Sequence, residues 1–168
     1  KLPSDLRQYV LLPAIARKQY RKLLDHHVQF IEESEISGYN TYTDADDHSL
    51  GIIVCGIASN YLRENYPGGK VPYPVLKLGQ YPMPRAMVER MASECREILV
   101  LEDGYPVIEE LLKGYLGKGP KIRGRLDGTV PRDGELNPNI VARALGLEDT
   151  YGLPIPELVV ARPPALCA

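Results

Sequence analysis

Leu50-Gly51-Ile52-Ile53-Val54-Cys55-Gly56-Ile57-Ala58-Ser59-Asn60-Tyr61-Leu62 is the stretch from which the fold is read. Its first half, Gly51 to Gly56, is short, β-branched and apolar on both faces, the signature of a strand buried from both sides. Its second half runs on through Tyr66 with helical spacing, and Pro67-Gly68-Gly69 ends it. The same strand–helix alternation continues downstream. Strands are predicted over 74–79 and 97–102, with an edge strand over 121–126. Helices are predicted over 85–94 (Met87, Val88 and Met91 inward), 106–116 and 137–145. In the helix over 106–116, Val107, Ile108, Leu111, Leu112 and Tyr115 share one predicted face. Pro138 suits a first helical turn and Gly146 a helix stop. Four strands separated by helices predict an α/β fold, a three-layer, doubly wound and mainly parallel sheet with right-handed crossovers.

Upstream, residues 11–34 read as one long amphipathic helix. Ile15, Tyr20, Leu23, Leu24, His27, Val28 and Ile31 form a sticky face, with Arg17, Lys18, Arg21, Lys22, Asp25, Glu32 and Glu33 largely on the other side. Residues 39–48, rich in Asp, Asn and Thr, read as a polar loop. The expected organisation is a connector with the long helix over 1–49, the α/β body over 50–147 and a linker over 148–168. Arg162-Pro163-Pro164-Ala165-Leu166-Cys167-Ala168 reads as a semi-rigid spacer, and Lys1-Leu2-Pro3 as a connector, which together suggest a domain cut from a larger protein.

A chain of 168 residues with 44% hydrophobic and 25% charged residues is expected to be one globular domain. A formal net charge of −2 offers no field for nucleic acid or an anionic membrane. No apolar run reaches the length of a membrane span and no leader is evident, so a cytoplasmic origin is expected. Cys55, Cys95 and Cys167 are odd in number and widely spaced, suggesting neither a disulfide framework nor a zinc knuckle. Cys55 and Cys95 suit small buried hydrophobes.

The candidate chemistry is sparse. Gly51 and Gly56 superficially space a phosphate loop, but Ile57-Ala58 stands where Lys-Ser/Thr would bind phosphate and magnesium, and no Gly-x-Gly-x-x-Gly is present. Glu102-Asp103, with Glu109 and Glu110 on the next helix, is the best placed acidic group. Its plainer reading is Asp103 capping the helix that begins near Pro106. His26 and His27 point apart and cannot chelate one metal, one being expected to pack and the other to face water. His48 with Asp44, Asp46 and Asp47 has metal-ligand residue types but reads as a solvated loop. No catalytic, cofactor-binding or metal residue is assigned.

Four stretches resemble a known family. These are 7–17 (RQYVLLPAIAR), 50–61 (LGIIVCGIASNY), Leu76-Lys77-Leu78-Gly79 with Tyr81-Pro82-Met83-Pro84 and then 98–103 (ILVLED), and 162–167 (RPPALC). They are similar to the large subunit of indolepyruvate ferredoxin oxidoreductase, a thiamine-diphosphate-dependent 2-oxoacid oxidoreductase of archaea and anaerobic bacteria. The last looks like the opening of an Arg-Pro-Pro-x-Leu-Cys-x-Gly-Cys-Pro-His segment, in which Cys167 would stand. The resemblance departs at Glu102-Asp103-Gly104, where two successive glutamates are expected.

The resemblance implies that this chain is the middle domain, like the carboxyl-terminal domain of transketolases. In the whole enzyme it implies thiamine diphosphate, magnesium and iron–sulfur clusters, oxidative decarboxylation of aryl 2-oxoacids to acyl-CoA, and electrons passed to ferredoxin. Neighbouring domains and a second subunit are the implied partners, and ferredoxin that of the whole enzyme; the apolar patch left on the long helix and the exposed sheet end is expected to pair copies of this piece. None of the cofactor ligands maps to this chain, so its expected role is non-catalytic and interdomain. Two rival readings are an independent nucleotide- or cofactor-binding domain, and a ferredoxin-docking surface built from Lys113, Lys118, Lys121, Arg123 and Arg125.

Overall fold

A computed structural model describes residues 4–10, 12–116, 120–131 and 134–150. Five strands form one sheet: β1 (Thr41–Thr43), β2 (Leu50–Cys55), β3 (Val75–Leu78), β4 (Glu97–Leu101) and β5 (Lys121–Arg123). Their order across the sheet is β1-β3-β2-β4-β5. β2 pairs in parallel with β3 and β4, β4 in parallel with β5, and β1 lies antiparallel on β3. The helices are α1 (Pro13–Ile36), α2 (Ala58–Glu64), α3 (Arg85–Glu94), α4 (Val107–Leu116) and α5 (Pro138–Leu145).

Alternation along the central strands builds two cores. Ile52 and Val54 of β2, with Leu99 and Leu101 of β4, face α2 and α5, where Leu62, Val141 and Ala144 close the layer. Ile53, Ile98 and Val100 face the opposite way onto Val88 and Met91 of α3 and Ile108 and Leu112 of α4. Each such aliphatic side chain, fully withdrawn from water, contributes roughly 1.5–3 kcal/mol. The three-layer, doubly wound α/β architecture is therefore the one its apolar strands require. α5 shows the local rules plainly. Asn137 accepts from Ile140 N at 3.0 Å, and Gly146, at φ 74°, ends the helix with Leu147 N donating to Ala142 O.

Several expectations are corrected. The polar loop over 39–48 contains a strand, β1, so the sheet has five strands rather than four. The physical cause is Asn40, buried among backbone groups. Its amide donates to Ser34 O and Gln80 O, while its carbonyl accepts from Gly79 N and Gln80 N. That side chain clamps the exit of α1 to the end of β3 and lays Thr41–Thr43 along the sheet edge. On α4, Val107 and Leu111 are exposed, whereas Glu109 joins Ile108 and Leu112 inside. The side chain of Tyr115 lies outside the described residues, as do residues 1–3, Lys118 and 151–168, with Cys167. β5 ends at Arg123 because Gly124 and its successors leave the sheet in a turn. His26 and His27 are both exposed, His26 beside Gln29 and stacked on Phe30. Among the described residues no helix is long and apolar enough to cross a membrane.

Candidate functional site

Strand order reverses about β2: the crossover through α2 leads to β3 on one side, and the crossover through α3 returns to β4 on the other. The carboxyl ends of β2 and β4 thus flank the crevice where open α/β sheets collect ligands. Cys55 closes β2, and Glu102-Asp103-Gly104 follows β4. Glu102 is buried, and its two carboxylate oxygens accept from Ile108 N and Glu109 N, each at 3.0 Å. It is therefore Glu102, not Asp103, that caps α4. Burial pushes the Glu102 carboxyl above its ordinary range, against the two backbone N–H groups that favour the charge. Burial, then the nearby Glu102 carboxylate, pushes the Cys55 thiol up to about 12. A thiol held protonated is a poor nucleophile at neutral pH. Tyr81 lies near the same edge, its phenol raised by burial first and then by Cys55 and Glu102.

Around Glu102 the remaining polar groups lock together. The buried Arg125 donates through Nε to Glu102 O at 3.0 Å, through Nη1 to Pro131 O at 2.7 Å and through Nη2 to Asp103 Oδ1 at 3.3 Å. Asp103 also accepts from Gly104 N and Leu136 N. Glu109 accepts from Leu126 N at 2.9 Å and from Lys113 Nζ at 2.8 Å. Gly124 is required beside it, since a Cβ there would sit 2.5 Å from Glu109 Oε2. The result is a latch joining β4, the start of α4, the turn after β5 and the segment approaching α5. Glu109 is the member that the sequence already placed beside Glu102-Asp103, whereas Arg125, read there as part of a basic surface, is buried in the group instead, and the glycine inside its strand-like run is the signal of close approach.

A second charged cluster lies at the opposite end of the strands. Arg90 donates to Asp44 Oδ2 at 2.7 Å and to Glu94 Oε1 at 2.9 Å, and its guanidinium sits 4.3 Å from the Tyr42 ring centroid. Tyr42 donates to Glu94 Oε2, and His48 Nε2 is 3.2 Å from Asp44 Oδ1. Asp44, His48 and Glu94 form a group with metal-ligating atoms within 4.8 Å of one another. Their charge is already met by Arg90, and one imidazole with two carboxylates lacks the thiolates of an iron–sulfur site. The cluster is a knot fastening the chain after β1 to α3. Asp46 is not one of the three ligating residues, and Asp47 caps its own loop by accepting from Ser49 N.

Other expected features are separated by the fold. Lys113 is paired with Glu109, Lys121 and Arg123 approach Glu97, and Arg125 is buried. The described part of this basic set is thus not one exposed patch. A cleft of about 700 Å³ lies over β1 and β3 beside α2. Val54, Leu62 and Val75 line it with apolar surface, and Asp46 and Asp47 share it with Arg63 and Lys70. Its apolar floor and mixed charge suit a docking segment better than a single small anion.

No family model matches the chain. It is 33% identical over 179 aligned residues to indolepyruvate oxidoreductase subunit IorA of Methanothermobacter thermautotrophicus, covering 98% of this chain and 28% of that protein. The corresponding subunit of Methanothermobacter marburgensis is 36% identical over 95% of this chain and 27% of its own length, and that of Pyrococcus abyssi 31% over 95% and 27%. The chain thus spans little more than a quarter of these relatives. A solved 2-oxoglutarate:ferredoxin oxidoreductase from Magnetococcus marinus, with 2-oxoglutarate, coenzyme A and succinyl-CoA bound, superposes with a TM-score of 0.53. It is 15% identical and covers 82% of this chain and 24% of that one, a likeness of fold.

Proposed function

The chain is homologous along nearly its whole length to the IorA subunit of indolepyruvate oxidoreductases, and from that premise we propose that it is a structural, interdomain module of a 2-oxoacid ferredoxin oxidoreductase. The body over 50–147, together with β1 at its edge, is the rigid piece, with the long helix before it and residues 148–168 after it leading to neighbouring domains. The whole enzyme, in this reading, is cytoplasmic and oxidatively decarboxylates aryl 2-oxoacids with coenzyme A and ferredoxin as partners. Thiamine diphosphate, magnesium and iron–sulfur clusters supply that chemistry from other parts of the protein.

The observation that carries the reading is the latch. At the edge where α/β domains bind ligands, Glu102, Glu109, Asp103 and Arg125 are all engaged by this fold's own backbone and by one another. A group that caps a helix and closes a turn is committed to rigidity rather than to substrate. The exposed arm α1 and the apolar-floored cleft are faces on which a neighbouring domain can rest.

The test is calorimetric titration of the chain separately with thiamine diphosphate plus magnesium, with coenzyme A and with ATP. No saturable heat is expected from any of them. A one-to-one isotherm would overturn the scaffold reading in favour of an independent cofactor- or nucleotide-binding domain.

A further inference from the structure

The two faces of the sheet are covered unequally. Val75 and Lys77 of β3 stand beside Ile52 and Val54 of β2, and Thr43 and Thr41 of β1 stand beside them in turn, so these side chains share the face on which α2 and α5 lie. On the opposite face, Tyr42, Leu76 and Leu78 are packed with Val88 and Met91 of α3. Past α2, β3 and β1 are instead the floor of the cleft of about 700 Å³, with α2 as one wall and residues 69–73 as another. Val71, Tyr73 and Val75 stay half-buried there, against the core on one side and open on the other. Arg63, Lys70 and Lys77 line the same cleft, and none of the three makes an ion pair among the described residues. The layer is short of one covering segment, and a carboxylate on that segment would meet a cation.

The chain delivers such a segment to the spot. Thr150 N donates to Asn139 Oδ1 at 3.1 Å at the start of α5, and Pro138 O beside it accepts from Asn65 Nδ2 at 3.0 Å. Asn65 ends α2, two residues after Arg63, so Thr150 is brought to the end of the helix whose other side walls the cleft. Five residues span at most about 17 Å, and a helix with its side chains is about 10–12 Å across, so Ile155 reaches the cleft around that end. Residues 153–160, which lie outside the described residues, read Leu-Pro-Ile-Pro-Glu-Leu-Val-Val and are apolar apart from Glu157, the one acid in 151–168. We infer that residues 153–160 cover this cleft, with Ile155 and Val159 on its apolar floor and Glu157 between them at Lys77, the cation that rises from the floor itself. Alternate residues of an extended segment share a face, which puts these three side chains on one side. Pro154 and Pro156 favour extended chain and have no N–H to bury, so less ordering cost opposes the contact. A neighbouring domain then rests on the completed layer. The inference concerns this chain alone and does not depend on the catalytic setting proposed above.

Amide hydrogen exchange of the full chain, followed by mass spectrometry, is the test. Ile155→Asp should speed exchange over residues 41–43 and 71–77 on the order of tenfold and leave β4 and α5 at the wild-type rate, because only the cleft loses its cover. Glu157→Lys and Lys77→Glu should each give a smaller rise over the same residues, roughly twofold to fivefold, and the double variant should return to the wild-type rate, because the two positions face each other. Exchange over 41–43 and 71–77 indifferent to Ile155→Asp would overturn the inference and leave the cleft to a neighbouring domain. Protection there that grows with protein concentration would overturn it in favour of a second copy, and a double variant faster than both singles would overturn the pairing on which it rests.

Discussion

The latch at the carboxyl ends of β2 and β4 and the knot around Arg90 are built from the same residue types, carboxylates closed by an arginine, yet they do different work. In the latch, Glu109 is fully buried and Arg125 4% exposed, and their partners are largely backbone: Leu126 N, Glu102 O and Pro131 O. In the knot, the Asp44, Glu94 and Arg90 side chains are 52%, 31% and 47% exposed and bond mainly to one another. Water can replace every bond of the knot at little cost, but it cannot reach Glu102, Glu109 or Arg125 in the latch. Burial and backbone partners, rather than the count of charges, decide which ionic cluster holds a fold together.

The sharpest way to break this contrast is Arg125→Ala, which strips the donors from Glu102 O and Pro131 O and leaves Asp103 without its counter-ion. A loss of about 3 kcal/mol in unfolding free energy is expected from urea titration, and an unmoved midpoint would erase the distinction.

A smaller effect separates the two clusters by sign with pH. Glu102 has a folded pKa raised by burial, so its contribution is fully present below the ordinary carboxylate range and is lost as pH rises through the folded pKa. Glu94, held low by hydrogen bonds from Arg90 and then Tyr42, contributes stability present above the ordinary range and lost as pH falls through its lowered pKa. The stability advantage of the wild type over Glu102→Gln should therefore be greater at about pH 4 than at about pH 7, and that over Glu94→Gln greater at about pH 7. Denaturation midpoints at the two pH values check both, and slopes of the same sign would contradict the burial argument. The least effect is expected for Arg90→Gln: a slight fall in midpoint at low salt that vanishes near about 0.5 M salt, where exposed charges are screened. A loss that persists in salt would make the knot a second latch.

Much of the fold is legible in the amino-acid sequence. Apolar runs such as 51–55 and 98–101 are too short for helices and too uniform for half-exposed strands, which leaves a covered parallel sheet. Pro138 and Gly146 mark the limits of α5 by local chemistry alone. β1 was not legible, because Thr-Tyr-Thr becomes a strand only through β3 and through Asn40, whose partners Gly79 and Gln80 lie about forty residues on. Within the site, Glu102 and Asp103 were recognised as well placed, but either carboxylate can cap a helix. The assignment to Asp103 failed because the direction in which β4 delivers the chain turns Glu102 toward Ile108 N and Asp103 toward Arg125.

The sequence by itself determined the class of architecture, the helix ends and the exposed arm, since these follow from periodicity and from residue-level preferences that act over a few neighbours. Which carboxylates became buried, which arginine closed the latch and which charges stayed in water was decided only by tertiary structure. Those outcomes depend on what packs above each group from distant parts of the chain, and desolvation by such neighbours has no local code.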